Sequence, residues 1–273
     1  MLATPARSAR LCGVTPAGLT IVLDLDGVVW EAGVPLAGAA DAVARLRAAG
    51  HRIAFCTNNG YATLSTHVDR LVAAGIQASV EEVVSSASAL ATMVQPGQRV
   101  QVFAGAGVAE ALTSRGAVLV AHDAINPSDL DAIVVGFRPG FGPQLAERAA
   151  AGVAGGARFL ASNTDPTYPT PTGLVPGSGV IVDMVAALVG RRPEVAGKPN
   201  PAVAAALVER VGSVDWVVGD RPDTDGGLAR SVEARFALVL CGVTASEEGA
   251  DPTPDLVGAD LAEVVDILLN GHR

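Results

Sequence analysis

The sequence contains few cysteines: Cys12, Cys56 and Cys241 are the only three among 273 residues, and they are far apart. An odd number of cysteines without close spacing predicts neither a disulfide framework nor a cysteine-based zinc site. The chain also lacks an uninterrupted run of about 20 apolar residues, so no membrane span is predicted. No continuous apolar segment follows Arg7 and Arg10, so a signal peptide is not predicted. We therefore expect a cytoplasmic protein without a membrane partner.

Positive charge is also scarce. Lys and Arg total 19 while Asp and Glu total 28, which gives a formal net charge of −9. This balance argues against a nucleic acid or an anionic membrane as a partner, although it leaves room for one local basic site. Aromatic residues make up only 4% of the chain, whereas 49% hydrophobic and 17% charged residues predict a folded protein rather than a disordered one.

Short segments rich in Val, Ile and Leu alternate with Ala-rich segments along the whole chain. This alternation predicts an α/β fold in which helices cover both faces of parallel sheets. The predicted strands are Thr20–Leu25, Arg52–Thr57, Val100–Ala104, Ala117–Val120, Ala132–Gly136, Arg158–Ala161, Trp216–Gly219 and Ala237–Cys241. The predicted helices are Ala39–Ala49, Thr63–Ala74, Ala87–Val94, Val108–Ser114, Gln144–Val153, Ser178–Val189, Pro201–Val211 and Leu261–Leu269.

Two turn-rich segments, residues 95–98 and 190–193, indicate boundaries between modules. Residues 1–95 and 193–273 are predicted to close together into one sheet that forms the core. Residues 96–192 are then predicted to form an inserted domain. The number of strands favours this division, because it is large for a single sheet.

The first predicted strand runs directly into two carboxylates, Asp24 and Asp26, which Gly27 follows. Side chains alternate in an extended chain, so both carboxylates project to the same side. They lie at the carboxyl end of a buried parallel strand, where open α/β sheets bind ligands. Taken alone, this segment is equally consistent with a polar turn after a strand.

Three other segments place polar groups at predicted strand ends or in loops. Thr57 and Asn58 follow the second strand and offer donors for an anion, Lys198 is the only lysine of the chain, and Asp220 and Asp225 follow the strand Trp216–Gly219. The alternatives are a polar turn, a solvated loop cation and an acidic helix cap, respectively.

In this order, the four segments resemble the haloacid dehalogenase superfamily of phosphotransferases. More narrowly, Leu23–Trp30, Thr57–Asn59 and Gly219–Asp225 are similar to the branch that contains the p-nitrophenyl-phosphatase, phosphoglycolate, glycerol-phosphate and pyridoxal-phosphate phosphatases. Asn163–Asp165 and Pro176–Gly179 also match that branch. The resemblance covers nearly the whole chain and implies a Rossmann-like parallel-sheet core with an inserted α/β cap domain.

The resemblance implies a catalytic role for each carboxylate of the first segment. Asp24 would attack phosphorus and form an aspartyl-phosphate, and Asp26 would act as general acid and then as general base. Thr57, the backbone N–H of Asn58 and the ammonium of Lys198 would hold the phosphoryl oxygens. An acid at the position of Asp26 distinguishes ester-hydrolysing members from ATPase and dehalogenase members of the superfamily.

The resemblance also implies a Mg²⁺ cofactor, because several carboxylates facing a phosphate dianion need a cation. The implied ligands are the side chain of Asp24, the backbone carbonyl of Asp26, the side chain of Asp220 and waters. Asp225 would not bind the metal directly but would orient a metal-bound water or Lys198.

The resemblance implies that the inserted domain binds the leaving group and so determines substrate specificity. Arg138 stands where relatives commonly carry an acid, and it is either a solvated loop arginine or a group near the leaving group. Together with Asn163, Asp165 and Thr167 it could bind a small polar alcohol. Because few aromatic residues are available there, we expect glycerol 3-phosphate as substrate ahead of phosphoglycolate, with pyridoxal phosphate as an alternative. Caps of this branch often mediate homo-oligomers.

Competing interpretations come from other motifs. Residues 105–110 imitate a dinucleotide fingerprint for NAD, but Glu110 stands at the third glycine position and would face the pyrophosphate. A non-enzymatic phosphate-binding protein on the same fold would be expected to have lost one of the catalytic groups, and none is missing. Cys56 adjoins the site and is interpreted as buried filler rather than as a nucleophile.

Overall fold

The computed structural model describes residues 18–123, 129–170 and 172–270, so Cys12 lies outside the described residues. In chain order the strands are β1 (Thr20–Leu23), β2 (Trp30–Glu31), β3 (Val34–Pro35), β4 (Arg52–Thr57), β5 (Val83–Ser85), β6 (Arg99–Phe103), β7 (Val118–Leu119), β8 (Ala132–Val135), β9 (Arg158–Ala161), β10 (Thr167–Thr170), β11 (Gly173–Pro176), β12 (Glu194–Val195), β13 (Trp216–Gly219), β14 (Arg235–Val239) and β15 (Leu256–Gly258). The helices are α1 (Ala39–Ala48), α2 (Leu64–Ala73), α3 (Ser86–Thr92), α4 (Ala106–Ser114), α5 (Pro143–Ala154), α6 (Ser178–Val189), α7 (Pro201–Val211), α8 (Gly227–Ser231) and α9 (Leu261–Asn270).

The larger sheet has six parallel strands in the order β15-β14-β13-β1-β4-β5. Strand β1 lies in the middle, and Ile21, Val22 and Leu23 are fully buried there. The strands that follow β1 in sequence first extend the sheet on one side, and β13 to β15 later extend it on the other. Such a change of direction opens a crevice at the carboxyl ends of the strands, where α/β proteins bind ligands. The predicted α/β fold with a parallel-sheet core is confirmed.

The smaller sheet has five parallel strands in the order β12-β9-β8-β6-β7, all of them between residues 99 and 195. Its last strand, β12, lies inside the predicted core segment 193–273 but pairs with β9 in this second sheet. The antiparallel hairpins β2–β3 and β10–β11 stand outside both sheets. Division of the chain into a core and an inserted cap stays a prediction.

A shared layer of buried residues lies between the two sheets. Val22 and Val217 of the larger sheet belong to the same apolar cluster as Val134 and Leu160 of the smaller sheet, and Leu90 of α3 lies in it as well. Burial of this common apolar surface stabilises the position of one sheet relative to the other.

Two further clusters cover the outer faces of the sheets. Leu46 of α1 and Val264 of α9 pack on the far side of the six-stranded sheet. Ala149 of α5 and Val182 of α6 pack with Phe159 on the far side of the five-stranded sheet. Both sheets are therefore covered by helices on both faces, which explains why their strands are almost continuously apolar.

Each predicted strand and helix overlaps an observed one, but some boundaries differ. Strand β1 ends at Leu23 rather than Leu25, because the carbonyl of Leu25 already accepts turn hydrogen bonds from the N–H groups of Val29 and Trp30. Strand β14 begins at Arg235 and ends at Val239, two residues before the predicted bounds. Strands β2, β3, β5, β10, β11, β12 and β15 and helix α8 were not predicted; the strands have only two to four residues, too few to show a period.

Across residues 18–123, 129–170 and 172–270, no helix combines the length and the apolar character that a membrane crossing requires.

Candidate active site

Three neighbouring strands of the six-stranded sheet end at one cavity. Asp24 directly follows β1, Thr57 is the last residue of β4 and Asp220 directly follows β13. The cavity has a volume of about 340 Å³, which is typical of a small-ligand site. The predicted site residues that line it are Asp24, Asp26, Thr57, Asn58, Asn163, Asp165, Lys198 and Asp220.

Lys198 is a buried cationic residue at this cavity, and it contacts two acids. Its Nζ lies 2.7 Å from Oδ1 of Asp24 and 2.6 Å from Oδ1 of Asp225, and it donates a hydrogen bond of 3.1 Å to the carbonyl of Cys56. Burial alone would lower the pKa of Lys198, but the charges of Asp225 and Asp24 together raise it well above its ordinary value. The two carboxylates therefore favour the charged form of Lys198 and hold its ammonium between Asp24 and Asp225.

The side chain of Asn58 fixes the backbone of Lys198. Its Oδ1 accepts a hydrogen bond of 2.7 Å from the Lys198 N–H, and its Nδ2 donates to the Lys198 carbonyl at 3.3 Å. Asn58 lies directly after β4, whereas Lys198 lies in the loop before α7. This pair of hydrogen bonds explains how a loop residue 140 positions away is held beside the sheet.

The carboxyls of Asp24 and Asp26 both have perturbed pKa values. Burial raises the pKa of Asp24 to about 6, against the opposing effect of Lys198. Desolvation raises the pKa of Asp26 to about 6, although a hydrogen bond with the Trp30 side chain lowers it. Gly27, at φ 86°, lets the chain turn back so that its N–H bonds to the Trp30 carbonyl at 2.7 Å. A carboxyl with a raised pKa that lines the cavity, such as that of Asp26, is suited to proton transfer near neutral pH.

Asp24, Asp220 and Asp225 form a buried acidic cluster, since one carboxylate oxygen from each lies within 4.8 Å of the others. Burial raises the pKa of Asp220 to about 6, and the charge of Asp225 raises it further in the same direction. Burial likewise raises the pKa of Asp225 to about 6, against the opposing effect of Lys198. Three acids this close repel one another, so the cluster is stabilised when a cation binds.

Asp220 offers the clearest sign that a cation fits the cluster. Its Oδ2 accepts a hydrogen bond of 2.6 Å from the N–H of Val243, whereas its buried Oδ1 has no hydrogen-bond partner among the described residues. A Cβ atom added at Gly27 or at Gly242 would overlap this carboxylate, so both glycines are needed where they stand. An orphaned carboxylate oxygen in an all-oxygen acidic cluster fits a hard cation such as Mg²⁺.

Asp225 differs from the other two acids because protein groups already satisfy both of its oxygens. Oδ1 accepts from Lys198, and Oδ2 accepts from the N–H of Arg221 at 3.1 Å. It does not line the cavity. This position agrees with the expected role of orienting Lys198 rather than of binding the cation directly.

A loop of the smaller sheet reaches the site through Asn163 and Asp165. Asn163 donates a hydrogen bond of 2.7 Å to the carbonyl of Asn58, and Asp165 accepts one of 3.0 Å from the Asn58 side chain. Burial raises the pKa of Asp165, although Arg221 and Asn58 lower it. These two predicted specificity residues thus lie beside Thr57 and Asn58, the predicted phosphate-binding residues.

Arg138 does not lie at this cavity. Its partly buried side chain lines a separate groove together with Gly105 and Leu119, whereas the preceding residue, Phe137, lines the cavity. Adjacent residues at the end of a strand point to opposite sides, which explains the difference. The alternative that Arg138 contacts the leaving group is therefore not supported by the geometry.

Sequence reasoning gave no role to several residues that line the cavity, and Tyr61 and Arg221 are two of them. Both could have been found, because Tyr61 closely follows Thr57–Asn58 and Arg221 directly follows Asp220. The guanidinium of Arg221 donates a hydrogen bond of 2.9 Å to Asp223.

The apparent dinucleotide fingerprint has a packing role. The N–H of Gly107 donates a hydrogen bond of 3.0 Å to the Tyr61 carbonyl, and a Cβ atom at Gly105 or Gly107 would overlap the backbone of residues 60–62. The start of α4 is therefore occupied by the loop after β4, which leaves no space for a pyrophosphate at this helix end. Cys56 is buried, and burial raises the pKa of its thiol to about 12. Such a thiol is expected to pack in the core rather than to act as a nucleophile.

Two family models match the chain. A model described as haloacid dehalogenase-like hydrolase matches residues 21–118, and one described as HAD-hydrolase-like matches residues 195–264. The first range contains Asp24 and Thr57, and the second contains Lys198 and Asp220. The matched ranges therefore include the ends of β1, β4 and β13, which meet at the cavity.

Curated relatives cover most of the chain. It is 34% identical over 253 residues to D-glycerol 3-phosphate phosphatase of Mycobacterium tuberculosis, which spans 88% of this chain and 69% of the relative. It is 31% identical over 252 residues to acid sugar phosphatase of Staphylococcus saprophyticus, which spans 89% of this chain and 95% of the relative.

A solved structure shares the architecture. Glycerol phosphate phosphatase from Mycobacterium tuberculosis in complex with magnesium superposes with a TM-score of 0.82 at 32% sequence identity, over 91% of this chain and 76% of that one.

Proposed function

The chain belongs to the haloacid dehalogenase-like hydrolase family and is a phosphoric monoester hydrolase, and we propose that it hydrolyses a small phosphate ester, with glycerol 3-phosphate as its best substrate. One observation carries the proposal: Asp24 and Asp26 line a cavity at the end of the central strand, beside a buried lysine and a cluster of acids.

Asp24 acts as the nucleophile of the proposed reaction. A carboxylate oxygen attacks phosphorus, a bond forms between the two atoms, and the bond between phosphorus and the ester oxygen breaks. Asp26 gives its proton to the departing alkoxide, which leaves as the alcohol. A water then attacks the aspartyl-phosphate while Asp26 takes its proton, and phosphate and free Asp24 result. The raised pKa of Asp26 supports both of its steps.

Three groups bind the phosphoryl oxygens during these steps. The hydroxyl of Thr57 is buried at the end of β4, and its oxygen accepts a hydrogen bond of 3.0 Å from the N–H of Asn59, which leaves the hydroxyl proton free to donate. The backbone N–H of Asn58 and the ammonium of Lys198 complete the set. Their position is fixed before substrate arrives, which lowers the cost of stabilising developing charge.

Members of this family depend on a metal, and we infer that Mg²⁺ is the metal here. Asp24, the backbone carbonyl of Asp26 and Asp220 would hold it, and the unpartnered Oδ1 of Asp220 supports this assignment. When bound, the ion neutralises charge between phosphate and carboxylates.

The choice of glycerol 3-phosphate rests on the M. tuberculosis relative and on the polar side of the cavity. Asn163, Asp165 and Thr167 line it and can bind hydroxyl groups. Phosphoglycolate is less suited, because Arg138 does not face the cavity to meet its carboxylate.

We also infer that residues 96–192 act as a cap domain that excludes water from the site, and that the protein works in the cytoplasm. The free thiols of Cys56 and Cys241 support a reducing compartment. Any homo-oligomer would form through the cap, where Leu174 and Leu188 are exposed apolar residues.

Measurement of phosphate release from a panel of esters tests the proposal. With Mg²⁺ present, kcat/KM should be highest for glycerol 3-phosphate among glycerol 3-phosphate, phosphoglycolate, pyridoxal phosphate and a nucleoside monophosphate, and release should stop when a chelator is added. Equal release without any metal, or a much higher kcat/KM for pyridoxal phosphate or the nucleotide, would overturn it.

A further inference from the structure

His67 is a fully buried residue that takes no part in the reaction steps proposed above. It lies near the start of α2, and with Leu71 it belongs to the buried face of that helix. Its Nε2 lies 3.0 Å from the carbonyl oxygen of Asn59. Because a carbonyl oxygen only accepts, Nε2 carries the ring proton and donates. Burial lowers the pKa of His67 to about 4, so the ring is neutral at pH 7.

The second ring nitrogen of His67 destabilises the fold. In a neutral ring with its proton on Nε2, the other nitrogen is an acceptor, and this buried Nδ1 has no hydrogen-bond partner among the described residues. A buried polar atom without a partner costs stability, and an apolar side chain of similar size would avoid that cost. The presence of a histidine here therefore points to a role for Nε2, the donor to Asn59.

Asn59 belongs to residues 57–60, which contain predicted phosphate-binding groups and which we call the phosphate loop. The N–H of Asn59 donates to the Thr57 hydroxyl oxygen at 3.0 Å, and its side-chain Oδ1 accepts from the N–H of Tyr61 at 3.2 Å. With its carbonyl bound to His67, Asn59 has both backbone polar groups engaged. The Thr57 hydroxyl is therefore oriented by a residue that His67 holds in place.

Two helices hold the phosphate loop by consecutive carbonyls. The Ser86 hydroxyl, at the start of α3, donates to the Asn58 carbonyl at 2.7 Å, and His67 of α2 donates to the Asn59 carbonyl. In a trans peptide the carbonyl and the N–H point to opposite sides, so the first bond directs the N–H of Asn59 and the second bond directs that of Gly60. Gly60 lines the cavity, whereas His67 does not. The bond from His67 thus fixes the Gly60 N–H on the side opposite to the histidine.

We propose that His67 is a positioning residue for phosphate binding, and that through the Asn59 carbonyl it holds the phosphate loop in the conformation that binds the phosphoryl oxygens. The inference rests on the proposed phosphatase function and adds to it a residue that does not touch the substrate. Groups that are already in place need no ordering when phosphate arrives, so loss of this bond weakens phosphate binding rather than the chemical step. One neutral hydrogen bond changes such an equilibrium about threefold to tenfold.

Two substitutions with side chains of equal length separate the donor from its packing. Glutamine places an amide N–H near the position of Nε2, whereas methionine fills similar space without a donor. Calorimetry with inorganic phosphate on the Mg²⁺-loaded protein should show a Kd raised about threefold to tenfold in His67→Met and returned towards the wild-type value in His67→Gln.

Steady-state kinetics add a readout that a general loss of packing would not produce. For glycerol 3-phosphate, KM of His67→Met should rise by the same factor as the phosphate Kd, while kcat stays close to the wild-type value. The Mg²⁺ concentration for half-maximal activity should also stay unchanged, because the substitution leaves the acidic cluster intact.

His122 provides a matched control. Its Nε2 lies 2.9 Å from the Val102 carbonyl, which is the same kind of contact, and neither of these residues lines the cavity. His122→Met should therefore keep the wild-type Kd for phosphate and the wild-type KM. An equal rise of Kd in His122→Met and His67→Met would overturn the inference.

An unchanged phosphate Kd in folded His67→Met would also overturn it, as would a Kd raised equally in His67→Gln, since the donor would then have no effect. If circular dichroism shows that His67→Met does not fold, His67→Leu takes its place. Phosphate binding needs no turnover. A wild-type protein that releases phosphate from no ester, while the two His67 variants still differ in Kd, would contradict the proposed function only.

Discussion

The Nζ atom of Lys198 lies 2.7 Å from Oδ1 of Asp24, and both side chains are buried. An ion pair in this environment is strongly held only if further bonds satisfy both charges, and Asp225 supplies a second acceptor for the ammonium at 2.6 Å. The nucleophilic carboxylate we propose is therefore oriented by a cation that cannot move without breaking two ion pairs.

Replacement of Asp24 by asparagine should abolish turnover while the protein stays folded. The amide has the size of the carboxyl, and Lys198 keeps Asp225 as its partner, but an amide cannot form the acyl-phosphate. Phosphate release and thermal unfolding of Asp24→Asn should be compared with those of Asp41→Asn, the same change at an exposed position of α1. Substantial hydrolysis by folded Asp24→Asn would remove Asp24 from the role of nucleophile.

Replacement of Asp26 by asparagine should lower kcat by about 10²–10⁴-fold for an alkyl phosphate, because the departing alkoxide then receives no positioned proton. The loss should be much smaller for p-nitrophenyl phosphate, whose leaving group is stable without a proton. Steady-state kinetics with both esters measure the difference. Equal losses for the two esters would contradict the acid role of Asp26.

Replacement of Asp220 by asparagine should weaken metal binding more than it weakens the fold. The amide oxygen can still accept the hydrogen bond from Val243, while the charge at the orphaned position is lost. The Mg²⁺ concentration for half-maximal activity should rise at least tenfold, and Tm without metal should stay near the wild-type value or increase, since a repulsive charge is removed. An unchanged Mg²⁺ requirement would exclude Asp220 as a ligand.

Acid should destabilise the protein through His67. This histidine is fully buried, its Nε2 donates to the Asn59 carbonyl at 3.0 Å, and burial lowers its pKa from 6.5 to about 4. Between these two values the unfolded chain binds a proton that the folded protein does not, so the contribution of His67 to stability is complete above pH 6.5 and is lost as the pH falls towards 4. The loss is on the order of 3 kcal/mol.

Denaturant unfolding between pH 7 and pH 4 measures this effect. The free energy of unfolding of wild-type protein should fall more steeply with acid than that of His67→Gln, which keeps an amide donor without a titrating ring. Parallel curves for the two proteins would show that the burial of His67 does not lower its pKa.

The sequence predicted the polar residues at the strand ends better than the other residues that line the cavity. Asp24, Thr57 and Asp220 could be placed together because each stands at the carboxyl end of an apolar strand, and parallel strands bring such ends to one edge. The bounds of the short strands could not be predicted, since β5 and β15 have three residues each and owe their pairing to neighbours in the sheet.

Which residues between 96 and 192 face the cavity depends on geometry that no local sequence pattern contains. Arg138 and Phe137 are adjacent, and only the direction in which the chain leaves β8 decides which of them faces the cavity. Tyr61 and Tyr168 are separated by more than 100 positions, and their rings meet where β10 contacts the loop after β4, as the hydrogen bond from Asn59 Nδ2 to the Tyr168 hydroxyl shows. Sequence reasoning therefore undercounted the aromatic surface available to a leaving group.

The two glycines that flank Asp220 have a consequence for the mutational tolerance of this enzyme. Gly27 and Gly242 belong to different loops, yet the carboxylate of Asp220 fills the space that a methyl group would need at either one. The Asp220 carboxylate can therefore occupy this position only because Gly27 and Gly242 have no side chain. A mutant library that randomises either loop for a new specificity should therefore lose function at these positions even for alanine, the smallest possible change.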